Sequence, residues 1–284
     1  MSLTTLISGD GLAAHLEDPD WIVCDCRHDL VDTESGRRAY AESHIPGARF
    51  VHLDEDLSGP RTGKNGRHPL PDPETFRKRL GALGIDNSRQ IVAYDASGGC
   101  YAARLWWMLR WVGHDRVAVL DGGWNAWLSA PHSITNQIPA IEAARFTARA
   151  RTGLARDANS VAASLGKRGP LLLDARAPNR YRGESETLDP VAGHIPGAFN
   201  RFFQLNVVEP YGKFKPATIL RREFDELLGN NAPGNVVHYC GSGVTACHNL
   251  LAMEIAGLPG SRLYPGSWSE WCADPSRPVV KGSA

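Results

Sequence analysis

Four short segments occur twice in this 284-residue chain, in one order and at nearly constant separation. "WIVCDCR" (21–27) and "PLLLDAR" (170–176) are apolar runs ending in Asp-x-Arg, and Asp25 and Asp174 stand 149 positions apart. "SHIPGA" and "GHIPGA" put His44 150 positions before His194. "IVAYDASGG" and "VVHYCGSGV" set Asp95 against Cys240 at 145, and "LDGGW" and "LYPGSW" set Trp124 against Trp268 at 144. Chance does not preserve order and spacing over four landmarks, so the chain is two copies of one folding unit. The fall from 150 to 145 places about five extra residues in the first copy, most simply in the loop-like "GPRTGKNGRHPLPDP" (59–73). Its basic core, "GKNGRHPLP" (63–71), is short and reads as a solvated loop. Residues 131–156 have no counterpart and read as a connector between a first domain, 1–130, and a second, 157–284.

Within each copy strands and helices alternate. Short runs rich in Val, Ile and Leu at 21–26, 90–95, 117–120, 171–174 and 235–239 predict strands buried on both faces. Helices are predicted over 72–83, opened by Asp72-Pro73 with Glu74 in the first turn, and over 99–112, 217–229 and 244–257. Alternating βα units imply the α/β class, with a mainly parallel sheet in each domain covered by helices on both faces. Ligands in such sheets bind at the carboxyl ends of the strands, where Cys240 falls.

The overall charge excludes some functions. With 31 basic and 31 acidic residues, nothing draws the chain toward nucleic acid or an anionic membrane, so any anion recognition is local. No apolar stretch reaches the roughly 18 residues of a membrane span. The opening "MSLTTLISGDGLAAHLEDPDW" lacks the features of a secretion signal, so a cytoplasmic location is expected. Six cysteines scattered over such a length are not a disulfide scaffold, and a reducing compartment keeps them as thiols.

Cys240 is followed by Gly241, Ser242, Gly243, Val244 and Thr245, then by the predicted helix. Glycines permit turns that point successive N–H groups inward, and the helix adds its unpaired N–H groups and positive end. Such a cradle favours the thiolate; Ser242 and Thr245 add hydroxyl donors. The plain alternative is a small buried residue at a tight turn, but strand, cysteine, glycine loop and helix come in the order the chemistry needs. Phosphotyrosine-type phosphatases share the arrangement, yet their arginine would fall at position 246, which is Ala246. Sulfur transfer through a persulfide remains.

The chain resembles tandem-domain rhodanese-type sulfurtransferases. The Asp-x-Arg strand end, "GHIPGA", the cysteine loop and the Gly-x-Trp segment all match in both halves, across nearly the full length. The resemblance implies a catalytic second domain and a silent first one, in agreement with Asp95 at the cysteine position. "CGSGVTA" is most similar to the loop of the 3-mercaptopyruvate enzymes; thiosulfate enzymes carry basic residues where Gly241 and Ser242 stand. By the same resemblance Cys240 and Ser242 are catalytic, Gly241, Gly243, Val244 and Thr245 line the donor, and Arg180 in "DARAPNRYRGE" binds its carboxylate. One departure stands out. The family's second substrate arginine, about nine residues further, has no match in "GESETLDPVAGH", where Asp189 takes that place and Arg182 is the displaced substitute. The resemblance also implies a proton relay from Ser242 through a first-domain histidine, matched by His44, and an aspartate, for which Asp32 is a loose match. Read from the residues alone, the repeated His-Ile-Pro-Gly is a structural turn.

The expected activity moves sulfane sulfur from 3-mercaptopyruvate to small thiols, thioredoxin or cyanide. A thiosulfate donor and a persulfide carrier or sensor without turnover are the alternatives. No cofactor, metal, nucleic acid or membrane is called for, and a monomer is expected. Cys24 and Cys26 sit in a strand without a second ligand pair and read as core. Cys247 and the aromatic "RLWWMLRW" (104–111) read as packing.

Overall fold

The computed structural model describes residues 2–166 and 169–283 and divides into two compact units. The first holds residues up to Ser58, Pro71–Arg151 and Val208–Phe214; the second holds Gly59–Leu70, Thr152–Val207 and residues from Lys215 onward. Residues 59–70, counted with the first copy by the repeat, thus belong to the second unit.

The first unit contains a five-stranded parallel sheet in the order Leu6–Ile7, Val117–Leu120, Gln90–Tyr94, Trp21–Asp25, Arg49–Phe50. The second contains four parallel strands in the matching order Arg262–Leu263, Val236–Tyr239, Leu171–Asp174, Phe199–Asn200. The long apolar runs form the central strands, as their two-sided burial requires. The flanking strands have two residues each, too few to show a period in sequence. Helix Pro73–Ala82 starts as its sequence predicts: the Asp72 carboxylate accepts from the Glu74 and Thr75 N–H groups, and Pro73 occupies the first turn. The connector is divided: residues 131–151 belong to the first unit and 152–156 to the second, where the Arg156 N–H donates to Leu263. Phe146 is buried, and the N–H groups of Ala144, Arg149 and Arg151 donate to Gly81, Val112 and Trp111.

The repeated landmarks meet in space in each unit. Asp25 and Asp174 end their strands fully buried and take the guanidinium of Arg27 and Arg176 at 2.6 Å. Each arginine also donates at 2.7 Å to the carbonyl just before the His-Ile-Pro-Gly segment, Ser43 or Gly193. Each lies over the tryptophan of the fourth landmark, Trp124 at 4.5 Å or Trp268 at 4.7 Å. The tyrosine before the loop caps the set: Tyr94 and Tyr239 hydroxyls accept from the Ile45 and Ile195 N–H groups. His44 and His194 stack on Tyr40 and Tyr181 and bond their carbonyls, so the histidine of this segment fastens a turn in both copies.

The buried pair sets a stability prediction. Arg27→Leu leaves Asp25 uncompensated and should cost about 3–5 kcal/mol, read as a lower urea midpoint of the first unit's transition; an unchanged midpoint would contradict the role given to the pair.

Candidate active site

The strand Val236–Tyr239 delivers Cys240 to the carboxyl edge of the second sheet, and helix Thr245–Ile255 begins five residues later. Between them the loop folds back on the sulfur: the Gly243 N–H donates to Cys240 Sγ at 3.1 Å. Gly243 is required here. Its φ is +77°, and a Cβ would lie 2.2 Å from the Pro265 carbonyl oxygen. The fourth landmark closes the loop from below. The N–H groups of Trp268 and Ser269 donate to the carbonyls of Cys240 and Gly241 at 2.9 Å, and buried Ser267, at φ +53°, takes the Cys240 N–H on its Oγ at 3.1 Å. Cys240 is only 2 % exposed, which suits a donor of a few atoms.

The first unit shows what this loop does to a charge. There the Asp95 carboxylate accepts four backbone N–H bonds, from Ser97, Gly99, Tyr101 and Ala102, at 2.7–2.9 Å. Helix Ala102–Trp111 starts later than its sequence suggests because these N–H groups are already committed to the carboxylate. Where Cys240 stands in the second unit, the first holds the Asp95 carboxyl, which burial pushes above the usual carboxylate range in spite of these four bonds.

Ser242, two residues after Cys240, is buried, and its Oγ lies 2.7 Å from His68 Nδ1. This corrects the expectation that His44 takes the relay position. Both His44 ring nitrogens face backbone carbonyls, of Tyr40 and Gln137, and Asp32 pairs with Arg38 on the surface. It also corrects the reading of 63–71 as solvated. Arg61 to Lys64 are exposed, but His68 and Pro69 are buried, and the Arg67 N–H is held by Ser269 Oγ at 3.0 Å. The pairing spans 174 positions, beyond any local signal. The one clue was that this segment carries the extra residues of the first copy.

Arg180 does reach the loop. A Cβ on Gly241 would lie 3.5 and 3.6 Å from its Nη atoms and 2.8 Å from Nη2 of Arg67, so glycine leaves room for two guanidinium groups at this edge. Both are balanced. Arg180 bonds Glu186 at 2.8–3.1 Å and meets Asp189 at 3.3 Å; Arg67 pairs with the other oxygen of Asp189. Burial pushes the Asp189 carboxyl up. Burial would do the same to Glu186, but the Arg180 bonds and charge outweigh it and hold that carboxyl below its ordinary value. Arg182, expected among the donor ligands, instead pairs with Glu184 on a side chain 37 % exposed. Val244 is buried at the loop's end, and Thr245 opens the helix partly exposed.

Other ligand-like groups have structural explanations. Cys24 is a core thiol pushed up to about 12 by burial, Cys26 is equally enclosed, and Cys247 Sγ donates to the Gly243 carbonyl at 3.4 Å. Among the described residues Glu34, His52 and Glu55 bring ligand atoms within 4.8 Å of one another. However, Arg37 bridges both glutamates, and His52 Nδ1 accepts from the Asp54 and Glu55 N–H groups, which puts its proton on Nε2; this is an ion-pair cluster.

The loop geometry predicts that Gly243→Ala costs at least about 1–2 kcal/mol for the positive-φ backbone alone. It should also slow alkylation of Cys240 by iodoacetamide; unfolding and alkylation rates equal to those of the unaltered chain would refute the cradle.

Comparison with known proteins gives the family. The family model described as "Rhodanese-like domain" matches residues 8–130 and 157–274. The chain is 48 % identical over 284 residues to a Pseudomonas aeruginosa protein named "Probable 3-mercaptopyruvate sulfurtransferase", covering 99 % of this chain and all of that one. It is 36 % identical over 262 residues to the thiosulfate sulfurtransferase of Cricetulus griseus, covering 89 % and 86 %. The crystal structure of SseA from Escherichia coli, described as a 3-mercaptopyruvate sulfotransferase, superposes with a TM-score of 0.81 at 29 % identity, covering 94 % of this chain and 99 % of that one. The chain is therefore a member of the rhodanese-like sulfurtransferase family, with two such domains in tandem.

Proposed function

We propose that this enzyme takes sulfane sulfur from 3-mercaptopyruvate onto Cys240 and passes it to a thiol, such as a small thiol or reduced thioredoxin, or to cyanide. The observation that carries the reading is the Gly243 N–H aimed at Cys240 Sγ beside the Ser242–His68 pair. Cys240, as thiolate, attacks the donor sulfur; an S–S bond forms, the C–S bond breaks, and pyruvate leaves as its enolate. The Ser242 hydroxyl, backed by His68, supplies the proton the enolate takes up, and Arg180 holds the donor carboxylate. The acceptor thiolate then attacks the outer sulfur and returns Cys240 to a thiolate, a ping-pong cycle. The Gly243 N–H, already on the sulfur, stabilises the persulfide anion. Among the described residues no helix is long and apolar enough to cross a membrane.

A thiosulfate donor differs in its leaving group: sulfite departs as a stable anion and needs no proton. Ser242 and His68 discriminate between the donors for that reason. Ser242→Ala and His68→Asn should each lower kcat with 3-mercaptopyruvate about 100-fold or more while changing kcat with thiosulfate little. Equal losses with both donors would remove the proton role.

Incubation with 3-mercaptopyruvate and a thiol should release pyruvate and leave one added sulfur atom on Cys240 by intact mass, and Cys240→Ser should abolish both. Arg180→Ala should raise the donor KM about tenfold, the size of one charge-assisted hydrogen bond. Pyruvate release that survived Cys240→Ser would exclude the mechanism, and a protein loaded with sulfur but unable to turn over would be a carrier or sensor.

A further inference from the structure

The donor edge of the second unit has a charge pattern that the missing second arginine alone does not foretell. Two guanidinium groups crowd Gly241, one from Arg180 and one from Arg67. The side chains of Glu186 and Asp189 opposite them are each 3 % exposed, against 26 % for Arg67 and 21 % for Arg180. The cations thus face outward over a buried layer of carboxylates. Behind them Arg176 is closed on Asp174, with Glu186 3.4 Å away. Three arginines and three carboxylates balance to zero with every group ionised, and Asp189 is the only one that touches both outward cations.

We infer that Arg67 is the second donor-binding cation and that Asp189 is the specificity-determining residue, a resident counter-ion that tunes the site to donors of one negative charge. The inference rests on the sulfur-donor reading given above. Asp189 stands where the resemblance leads one to expect an arginine, so this chain supplies the cation from another segment and places a carboxylate in its stead. Arg67 is not free to wander: its N–H is fixed to Ser269 Oγ, the Ser269 N–H is fixed to the Gly241 carbonyl, and the next residue, His68, bonds Ser242. Its guanidinium therefore faces the same glycine as Arg180. An incoming carboxylate competes with Asp189 for the two forks. A monoanion needs the cations to shift their bonds from one carboxylate to another. A dianion meets the same cations with Asp189 and Glu186 still charged behind them, and in a partly desolvated site that repulsion is weakly screened. The site then selects by total charge, without basic residues in the loop itself.

Two independent arms test this on the intact chain. In the first, Arg67→Met should raise KM for 3-mercaptopyruvate about tenfold, as expected for one charge-assisted bond, with kcat within about twofold, and Arg67→Lys should recover part of the loss. A KM unchanged in Arg67→Met would overturn the cation role. In the second, Asp189→Asn, which keeps shape and removes charge, should move the ratio of kcat/KM for thiosulfate over 3-mercaptopyruvate toward thiosulfate by about tenfold or more. Sulfate should likewise become a stronger competitive inhibitor. An unchanged ratio and unchanged sulfate inhibition would overturn the counter-ion role. Asp189→Ser repeats this arm should the asparagine variant misfold, and the Arg67 arm stands without either. Failure of the underlying donor reading looks different: the unaltered protein would then release no pyruvate and gain no sulfur on Cys240, whatever stands at 67 or 189.

Discussion

Each half of this molecule is organised around one buried ion pair, Asp25 with Arg27 and Asp174 with Arg176. A carboxylate with no solvent exposure is costly to desolvate, and the cost is offset only when every lone pair and every N–H around it finds a partner. The structure supplies those partners from the other landmarks: a carbonyl before His-Ile-Pro-Gly, a tryptophan face, and a tyrosine ahead of the loop. Four stretches far apart in sequence are thereby drawn to one sheet edge. That is why they recur together in both copies, and why Cys240 has a fixed floor.

The two copies put the same cradle to different uses. In the first, a covalently supplied carboxylate takes four backbone N–H groups and leaves no place for a migrating sulfur. In the second, the corresponding position holds a thiol, approached by the Gly243 N–H. The loop of the first half closes four N–H groups on a buried carboxyl, and the loop of the second brings one to a buried sulfur.

Charge around the active loop is supplied at a distance. The loop itself is neutral, and its cations arrive from the helix Pro178–Tyr181 and from the 59–70 segment, each countered by buried carboxylates. The same 59–70 segment carries His68 to Ser242. Arg67 beside Gly241 and His68 beside Ser242 therefore hang on one backbone segment, and a change in its path would move both together.

The repeat, the α/β class, the central strands and the position of Cys240 were legible in the amino-acid sequence, because they depend on local apolar runs, glycines and their order along the chain. Arg180 was legible through its motif, and the flanking two-residue strands were not, for want of length. The histidine of the repeated His-Ile-Pro-Gly drew attention to itself, yet it is bound by backbone and fastens a turn. His68 and Arg67 gave no local sign of their places, since a basic, glycine-rich loop looks solvated until its partners are known. Only the tertiary structure decided which histidine meets Ser242, which second arginine lies against Gly241, and that Arg182 pairs with Glu184. The physical reason is one of range: hydrophobic period and turn chemistry act over a few residues, whereas ion pairs and side-chain hydrogen bonds are chosen by whatever the completed fold brings within about 3 Å.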